Sequence, residues 1–361
     1  MPLAACGSSS SSSKSSAYNI PAATPAAPAT AFLHSLTSIS TVGSTVPANG
    51  DVNPYGVVVL PTSVGAEHAG DVLISNFNAK SNHQGTGTTI VQLTPSGKLS
   101  VFAHLRAGAL GGACPGGVGL TTALGLLPGG DVVVGSLPTT NGMSATAKAG
   151  CLIVVSPAGK AISTIAGPNV QGPWDMTTSG NTVFVSNALS GGAAEGRHVV
   201  DNSTVVRFTL SPAGEVLSQQ VIANGIPWRD DPAALTIGPT GLALASNGTL
   251  YVANTLRSAI FEVPQAMTRT SPVSAASATV LTHGGHLNQP LGLTLAPNGD
   301  LLSANAGDGS LVETTPAGTQ AAVTGGDAKA GAGSLFGLQV APGGHGLYYV
   351  DDAANSLRLL H

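Results

Sequence analysis

The sequence predicts an all-β protein, and more narrowly a six-bladed β-propeller. Charged residues are 8% of the 361 residues, against roughly a quarter in typical soluble proteins. The chain has 48 Gly and 24 Pro, which favour turns, and no helical pattern of any length. One unit made of four short apolar segments also occurs six times along the chain. Together these observations predict small antiparallel sheets joined by tight turns.

Each unit has an apolar first strand, a Pro/Gly turn and a second strand that ends in a polar residue. The clearest copies begin at Pro239-Thr240-Gly241-Leu242 and Pro290-Leu291-Gly292-Leu293. Their second strands follow Asn247-Gly248 and Asn298-Gly299, which are typical of hairpin turns because Asn and Gly accept positive φ angles. The last residues of the six second strands are Asn76, Ser136, Asn187, Asn254, Asn305 and Asp351.

The third and fourth strands of most units flank a Pro-x-Gly turn, as in Ser156-Pro157-Ala158-Gly159 and Ser211-Pro212-Ala213-Gly214. A period of roughly forty to sixty residues with four strands is typical of a propeller with one sheet per repeat. These motifs resemble the NHL-repeat family over nearly everything after Phe32. The resemblance implies the fold and leaves the function open, because such propellers serve both as enzymes and as binding platforms.

The last unit has only three strands before the chain stops at His361. The missing outer strand would leave an exposed sheet edge, which β proteins avoid. Residues 32–42 alternate between apolar and polar residues as a strand does, so we expect them to complete the last blade. The propeller is therefore predicted to span residues 31–361.

The first thirty residues are predicted to form a disordered tether, since a Ser tract and scattered Pro residues bury nothing. Within them, Leu3-Ala4-Ala5-Cys6-Gly7 resembles a bacterial lipobox, which implies that Cys6 is acylated. The basic and apolar parts of a signal peptide do not precede it, and a chance match in an Ala-rich tail is the alternative. The resemblance implies an exported protein, periplasmic or at the cell surface, and in the outer membrane of a diderm bacterium.

The charge and hydropathy of the chain limit how it can bind nucleic acids and membranes. The net charge of −4 without a Lys/Arg cluster argues against a nucleic-acid partner, which requires a positive surface. No apolar run reaches the roughly twenty residues of a membrane-spanning helix. We therefore expect membrane attachment through the lipid anchor only.

Antiparallel order places two kinds of connection at one face of a propeller: the loops from second to third strands and the links between blades. The long insertions of this chain fall there, so this loop-rich face is the candidate ligand face for a small molecule, a glycan or a protein. The insertions are residues 78–88, 108–119, 137–150, 188–203 and 226–239.

Two groups of residues on this face are candidate ligand contacts. Trp174 and Asp175 differ from the residues at the same place in other units, and could stack on a ligand and orient it or bind a cation. Arg229 and Asp230 belong to a charged inter-blade loop of a chain with few charges. The alternatives are a Trp packed between blades and an Arg–Asp pair within the loop.

The polar ends of the second strands are a third candidate group, because they border the mouth of the central channel. The alternative is that Asn and Asp there bond their own backbone. This group comprises Asn76, Asn187, Asn254, Asn305 and Asp351.

Cys114 and Cys151 are the cysteines outside the tail, and the repeat pattern places both on the loop-rich face. In an exported protein they predict a disulfide that fixes a long loop, worth about 2–4 kcal/mol. Two buried thiols or a thiol nucleophile are the alternatives.

The sequence favours a binding module over an enzyme, because no catalytic or metal-ligating group is evident. The resemblance keeps a metal-dependent hydrolase or lyase open, since related six-bladed propellers include calcium-dependent gluconolactonases and virginiamycin-type lyases. A calcium ion at the central channel would have Asp175 and Asp351 as its plausible carboxylates. A propeller with no site beyond anchoring and protein contacts is a third alternative.

The lipid anchor can be tested with Cys6→Ser. If Cys6 is acylated, the full-length gene product partitions into detergent and the variant moves to the soluble fraction, because it lacks the acyl chains that hold it in the membrane. Partitioning is measured by detergent phase separation, with Ser8→Ala as the control. Unchanged partitioning of Cys6→Ser would refute lipidation.

Overall fold

The computed structural model describes residues 30–189, 198–326 and 333–361. These residues form six antiparallel sheets arranged as a six-bladed β-propeller, which confirms the predicted fold. No helix within these three ranges is long and apolar enough to cross a membrane.

The strands are numbered in chain order. In the first three blades and the segment before them they are β1 (Ile39–Ser44), β2 (Val52–Val59), β3 (Val72–Asn78), β4 (Thr89–Leu93), β5 (Leu99–His104), β6 (Leu120–Leu126), β7 (Val132–Ser136), β8 (Cys151–Val155), β9 (Ala161–Ile165), β10 (Pro173–Ser179), β11 (Thr182–Asn187), β12 (Val200–Leu210), β13 (Val216–Asp231) and β14 (Leu235–Ile237). After the third blade they are β15 (Pro239–Leu244), β16 (Leu250–Asn254), β17 (Ala259–Val263), β18 (Val273–Ser274), β19 (Val280–His283), β20 (Pro290–Leu295), β21 (Leu301–Asn305), β22 (Ser310–Thr314), β23 (Gln320–Gly325), β24 (Leu335–Val340), β25 (Leu347–Asp351) and β26 (Ser356–Leu360). All of these belong to the last three blades except β18, which pairs in parallel with β13 of the third blade. Short 3-10 segments lie at Phe32–Ser35, Ala107–Ala109, Ser144–Thr146, Thr255–Arg257 and Pro342–Gly344.

Each blade has its first strand at the centre and its later strands progressively further out. The innermost strands are β2, β6, β10, β15, β20 and β24, and they surround the central channel. The hairpins from first to second strands open on one face of the ring, called here the hairpin face. The links from second to third strands and between blades lie on the opposite, loop-rich face.

Glycines in the innermost strands allow neighbouring blades to approach closely, which explains the glycine near the start of first strands such as Pro290-Leu291-Gly292-Leu293. A Cβ atom added at Gly337 would lie 2.0 Å from the Tyr55 carbonyl oxygen of the next blade. The same atom at Gly292 would lie 2.3 Å from the Phe336 carbonyl oxygen. Because both contacts are with backbone, a larger residue would force the blades apart.

The ring is closed by both ends of the propeller, as the sequence predicts, since β1 pairs with β26 as the outer strand of the last blade. The predicted bounds of this strand were wrong, because it begins at Ile39 and residues 32–35 form a 3-10 turn. Leu33 and Leu36 are buried on one side of this turn, where they pack against the fifth and sixth blades. The apparent alternation over residues 32–36 thus reflects a turn that packs two leucines.

The Glu313 carboxylate on β22 holds this turn. Its two oxygens accept the N–H groups of Phe32 and Leu33, each at 2.7 Å. Asn298 donates to the same carboxylate at 2.9 Å. A fully buried carboxylate therefore ties the start of the propeller to the fifth blade.

The third blade carries a long two-stranded extension. Strand β13 continues to Asp231 and then pairs with β14, with Arg229 opposite Ile237. The prediction that residues 228–232 form an inter-blade loop was therefore wrong. The hairpin forms because Trp228 and Leu235 are both buried and the Thr236 hydroxyl donates to the Arg229 carbonyl at 3.1 Å. We call β14 and the end of β13, residues 226–237, the ribbon.

The predicted disulfide between Cys114 and Cys151 is present, with the Cα atoms 5.4 Å apart. Cys114 lies in the link between the first and second blades, and Cys151 begins β8. The bond therefore attaches a long link to the second blade, which restricts the unfolded chain.

We expect Glu313→Ala to lower the free energy of unfolding by on the order of 3 kcal/mol, because two backbone N–H groups lose their acceptor. Urea denaturation measures the loss, and faster hydrogen exchange in β1 would locate it at the closure.

Glu262→Ala is the matched control, since Glu262 occupies the same place on β17 that Glu313 occupies on β22. It should change the free energy of unfolding by less than about 0.5 kcal/mol. Equal losses for the two variants would contradict the role given to Glu313.

Candidate functional site

The central channel contains a cavity of about 460 Å³ between the six innermost strands. Its walls are the second halves of these strands, for example Val57–Val59 on β2 and residues 176–178 on β10. Pro61, which follows β2 in the first hairpin, also lines it. The cavity therefore extends to the hairpin face.

Aromatic side chains close the channel toward the loop-rich face. The rings of Tyr55 and Phe336 stack with centroids 4.7 Å apart, and Trp174 meets Tyr55 edge to face at 5.9 Å. Trp228 and Leu235 of the ribbon belong to the same buried cluster. Among the described residues, this cluster fills the loop-rich end of the channel, so the cavity is accessible from the hairpin face.

Trp174 was a candidate for stacking on a ligand, and the structure places it inside this buried aromatic cluster. Its side chain is 1% exposed, and its indole N–H donates to the Tyr55 hydroxyl at 3.2 Å. It also meets Phe77 edge to face at 6.1 Å. Trp174 thus packs between blades and forms the floor of the cavity.

Asp175 lies at this floor and contacts the cavity. A bulge in β10 separates Pro173 from Met176 in the strand register, and the Asp175 carboxylate accepts the Met176 N–H at 2.8 Å. Burial raises the pKa of Asp175 to about 8, although N–H groups of Met176 and Leu242 oppose the shift. The group is therefore mostly protonated at neutral pH and can donate a hydrogen bond.

Two other polar side chains in the cavity wall are bonded within the protein. The Thr178 hydroxyl donates to the Leu126 carbonyl at 2.9 Å, and Gln339 accepts the Val59 N–H at 2.9 Å. Among the described residues that line the cavity, Asp175 alone carries a carboxyl or a basic group. Burial, and then the charge of Asp175, raises the pKa of Tyr55 well above its ordinary value, so its hydroxyl stays neutral.

The strand-end residues lie near the loop-rich face, and three of them donate to backbone carbonyls. Their amides each donate to a carbonyl in the segment that precedes the first strand of the blade. The pairs are Asn76 with Thr45 at 3.0 Å, Asn187 with Asn169 at 3.0 Å and Asn305 with His286 at 2.7 Å. These amides fasten each blade to its incoming link and do not line the cavity.

The other two strand-end residues also make local contacts. Asn254 accepts the Arg257 N–H at 3.2 Å, as a cap on a short 3-10 helix. Asp351 accepts the Ala354 N–H and forms an ion pair with Arg358 at 3.1 Å. The five residues are therefore not brought together at one site.

Arg229 and Asp230 lie on the ribbon, away from the channel cavity. Arg229 forms an ion pair with Asp231 at 3.2 Å. Asp230 and Asp231 face Met143 across a groove of about 310 Å³ on the loop-rich face. The ribbon is held there by Gln84, which donates to the Ala233 carbonyl at 2.7 Å.

Sequence reasoning missed two features of the hairpin face. One is the opening of the channel cavity, which depends on which end the aromatic residues close. The other is a second cavity of about 280 Å³ beside that opening, lined by Glu67. The available signal was the first hairpin, residues 60–71, which is much longer than the Asn-Gly hairpins of later blades.

A calcium ion at the channel does not fit the side chains present. Calcium takes roughly six to eight oxygen ligands, commonly from several carboxylates. The cavity wall offers the single Asp175 carboxyl, and burial favours its neutral form. In the three described ranges, no three His, Cys, Asp or Glu side chains meet in a group that could hold a metal.

The comparisons with known proteins identify the fold. No family model matches the sequence, and no curated protein is significantly similar to it. Solved structures of six-bladed propellers do match in fold.

A gluconolactonase from Xanthomonas campestris is 13% identical, with 89% of this chain and 88% of the other covered and a TM-score of 0.55. A calcium-binding protein, regucalcin, from Agrobacterium tumefaciens is 13% identical over 89% and 93% of the chains, with a TM-score of 0.52. A virginiamycin B lyase from Staphylococcus aureus is 15% identical over 90% and 85%, with a TM-score of 0.50. At these identities the likeness establishes the propeller fold alone.

The raised pKa of Asp175 predicts a pH dependence of stability. The folded state binds this proton more tightly than the unfolded chain, whose Asp has a pKa of about 3.9. The contribution is therefore full below pH of about 4 and is lost as the pH rises toward about 8. Asp175→Asn should flatten this part of the decline in urea midpoint between pH 5 and 9.

Asp201→Asn, at an exposed position on β12, is the control for the change in net charge. Its midpoint should follow the wild-type pH curve. If Asp175→Asn also follows that curve, Asp175 is already ionised in the folded protein at neutral pH.

Proposed function

We propose that this protein binds a small neutral molecule in its central channel, with protonated Asp175 as the hydrogen-bond donor. The observation that carries the proposal is a cavity enclosed by the six innermost strands, with one carboxyl at its closed end. Its volume of about 460 Å³ lies within the roughly 300–1,000 Å³ of small-molecule sites. A charged acid would repel an ionised Asp175 and would lose part of its hydration inside the cavity.

The chemistry of the closed end selects the ligand class. A neutral carboxyl donates one strong hydrogen bond, so it suits a carbonyl oxygen of a lactone, ester or amide. Leucine and valine side chains in the wall suit the apolar part of a ligand, and the polar surface beside them suits a ligand that also has polar groups. The buried aromatic cluster at the closed end fixes the depth at which such a carbonyl would lie.

A hydrolase or lyase is the second candidate. The observation that favours it is the same carboxyl, since an acid with a pKa near neutrality can transfer a proton to a bound carbonyl. The structural neighbours include proteins named gluconolactonase and virginiamycin B lyase, which is consistent with this candidate.

The proposal also includes export with a lipid anchor and a second contact on the loop-rich face. The lipobox-like residues around Cys6 support an exported protein anchored by lipid. The groove between the ribbon and Met143, whose side chain is 60% exposed, supports a glycan or protein contact on the loop-rich face. The channel and this groove open on opposite faces of the ring, so both could be occupied at once.

Titration of neutral lactones and lactams, followed by ligand-observed NMR, tests the channel site. Asp175→Ala should weaken binding by about 10-fold or more, because it removes the donor. Asp175→Asn keeps an N–H donor and should retain binding. Wild-type affinity should fall above pH of about 8, whereas affinity of the Asn variant should not change with pH.

Asp201→Ala is the control variant for this experiment. Wild-type binding that is independent of both pH and Asp175 would overturn the channel proposal. Conversion of a lactone to product by the wild type, abolished by Asp175→Ala, would favour the enzyme over the binding protein.

A further inference from the structure

A second cavity lies at the hairpin face between the first and second blades. Its volume is about 280 Å³, and it shares Pro61 and Leu126 with the wall of the channel cavity. The first hairpin forms one side and the turn after β6 forms the other. The two cavities are neighbours, but their polar groups are different.

Glu67 is the acidic group of this second cavity. Its side chain is 1% exposed, and its Oε1 atom has no hydrogen-bond partner. Its Oε2 atom lies 2.9 Å from the place where a Cβ on Gly130 would be, directly at the cavity wall. A buried carboxylate without a donor is costly, so native proteins normally pair or neutralise it.

The backbone holds Glu67 firmly in this place. Glu67 exchanges backbone hydrogen bonds with Val64, at 3.0 and 3.2 Å. The neighbouring Ala66 N–H donates at 2.8 Å to the Pro157 carbonyl in the second blade. The backbone that carries the Glu67 side chain is thus preorganised, which lowers the entropic cost of binding a partner.

The carboxyl group of Asp131 near Glu67 makes a bound cation more favourable. Burial, and then the charge of Asp131, raises the pKa of Glu67 to about 7. Burial raises the pKa of Asp131 as well. A positive charge between blade and hairpin would offset both effects, since opposite charges favour the ionised carboxylates.

The walls indicate which cation fits. Besides Glu67 and Thr62, the wall consists of Pro61, Leu126, Leu127 and Pro128 with two glycines. A metal ion needs several oxygen ligands in a small space, whereas an alkylammonium needs one carboxylate and apolar walls for its chain. The size and the lining both favour the organic cation.

We propose that this cavity binds the ammonium group of a small alkylamine, with the Glu67 carboxylate as its ion-pair partner and Leu127 and Pro128 against its alkyl chain. The site is separate from the Asp175 site and does not depend on the ligand proposed there.

Titration of the purified propeller with n-butylammonium tests the proposal, with butan-1-ol as the neutral isostere. We expect saturable amide shifts in residues 62–68 and 126–130 with the ammonium only. Glu67→Gln should weaken binding by about 10-fold or more, measured by calorimetry, because it removes a charge-assisted hydrogen bond.

Glu215→Gln, on an exposed turn of the third blade, changes the net charge equally and should leave binding unchanged. Equal binding of butan-1-ol, shifts scattered over the surface, or an unaffected Glu67→Gln would overturn the proposal. So would stoichiometric displacement of the ammonium by Mg²⁺ or Ca²⁺ alone, which would make the carboxylates a metal site. The wild-type shift map decides the question even if Glu67→Gln fails to fold.

Discussion

The pairing of β1 with β26 is the constraint on which the rest of the structure depends. It joins a strand from the start of the propeller to one from its end, so that the six sheets form a closed ring. Only a closed ring surrounds a channel, and only then do the innermost strands pack edge to edge at the axis. Glu313 supports this pairing from the fifth blade, because it fixes the turn that leads into β1.

Most of the fold could be predicted because it follows from local patterns. Alternating apolar residues and Asn-Gly turns define the strands, and β7, β16, β21 and β25 end at the polar residues that the sequence indicates. Residues 32–36 were wrongly assigned to a strand, since Leu33 and Leu36, three residues apart, lie on one side of a 3-10 turn but would lie on opposite faces of a strand. The ribbon was missed because its stability comes from Trp228 and Leu235 packing over the channel, which is a non-local contact.

The candidate site was less predictable, because it depends on which end of the channel is filled. Sequence reasoning singled out Asp175, and the structure places it in the cavity. It could not show that Trp174, Tyr55 and Phe336 meet, since they come from three different blades. Their packing closes the loop-rich end and leaves the hairpin end accessible. Three of the strand-end Asn residues bond the backbone of the incoming link rather than their own backbone, and the strand-end Asn residues do not line the cavity.

The ribbon changes how the blades depend on one another. In a repeat architecture each unit normally contacts its immediate neighbours, so stability is close to a sum of nearest-neighbour terms. Here a segment of the third blade reaches Gln84 of the first blade, two positions away around the ring. This contact adds a cross-link that skips the second blade. Partial unfolding that removes one blade at a time is thereby disfavoured, and the ring should lose its structure in a single cooperative transition.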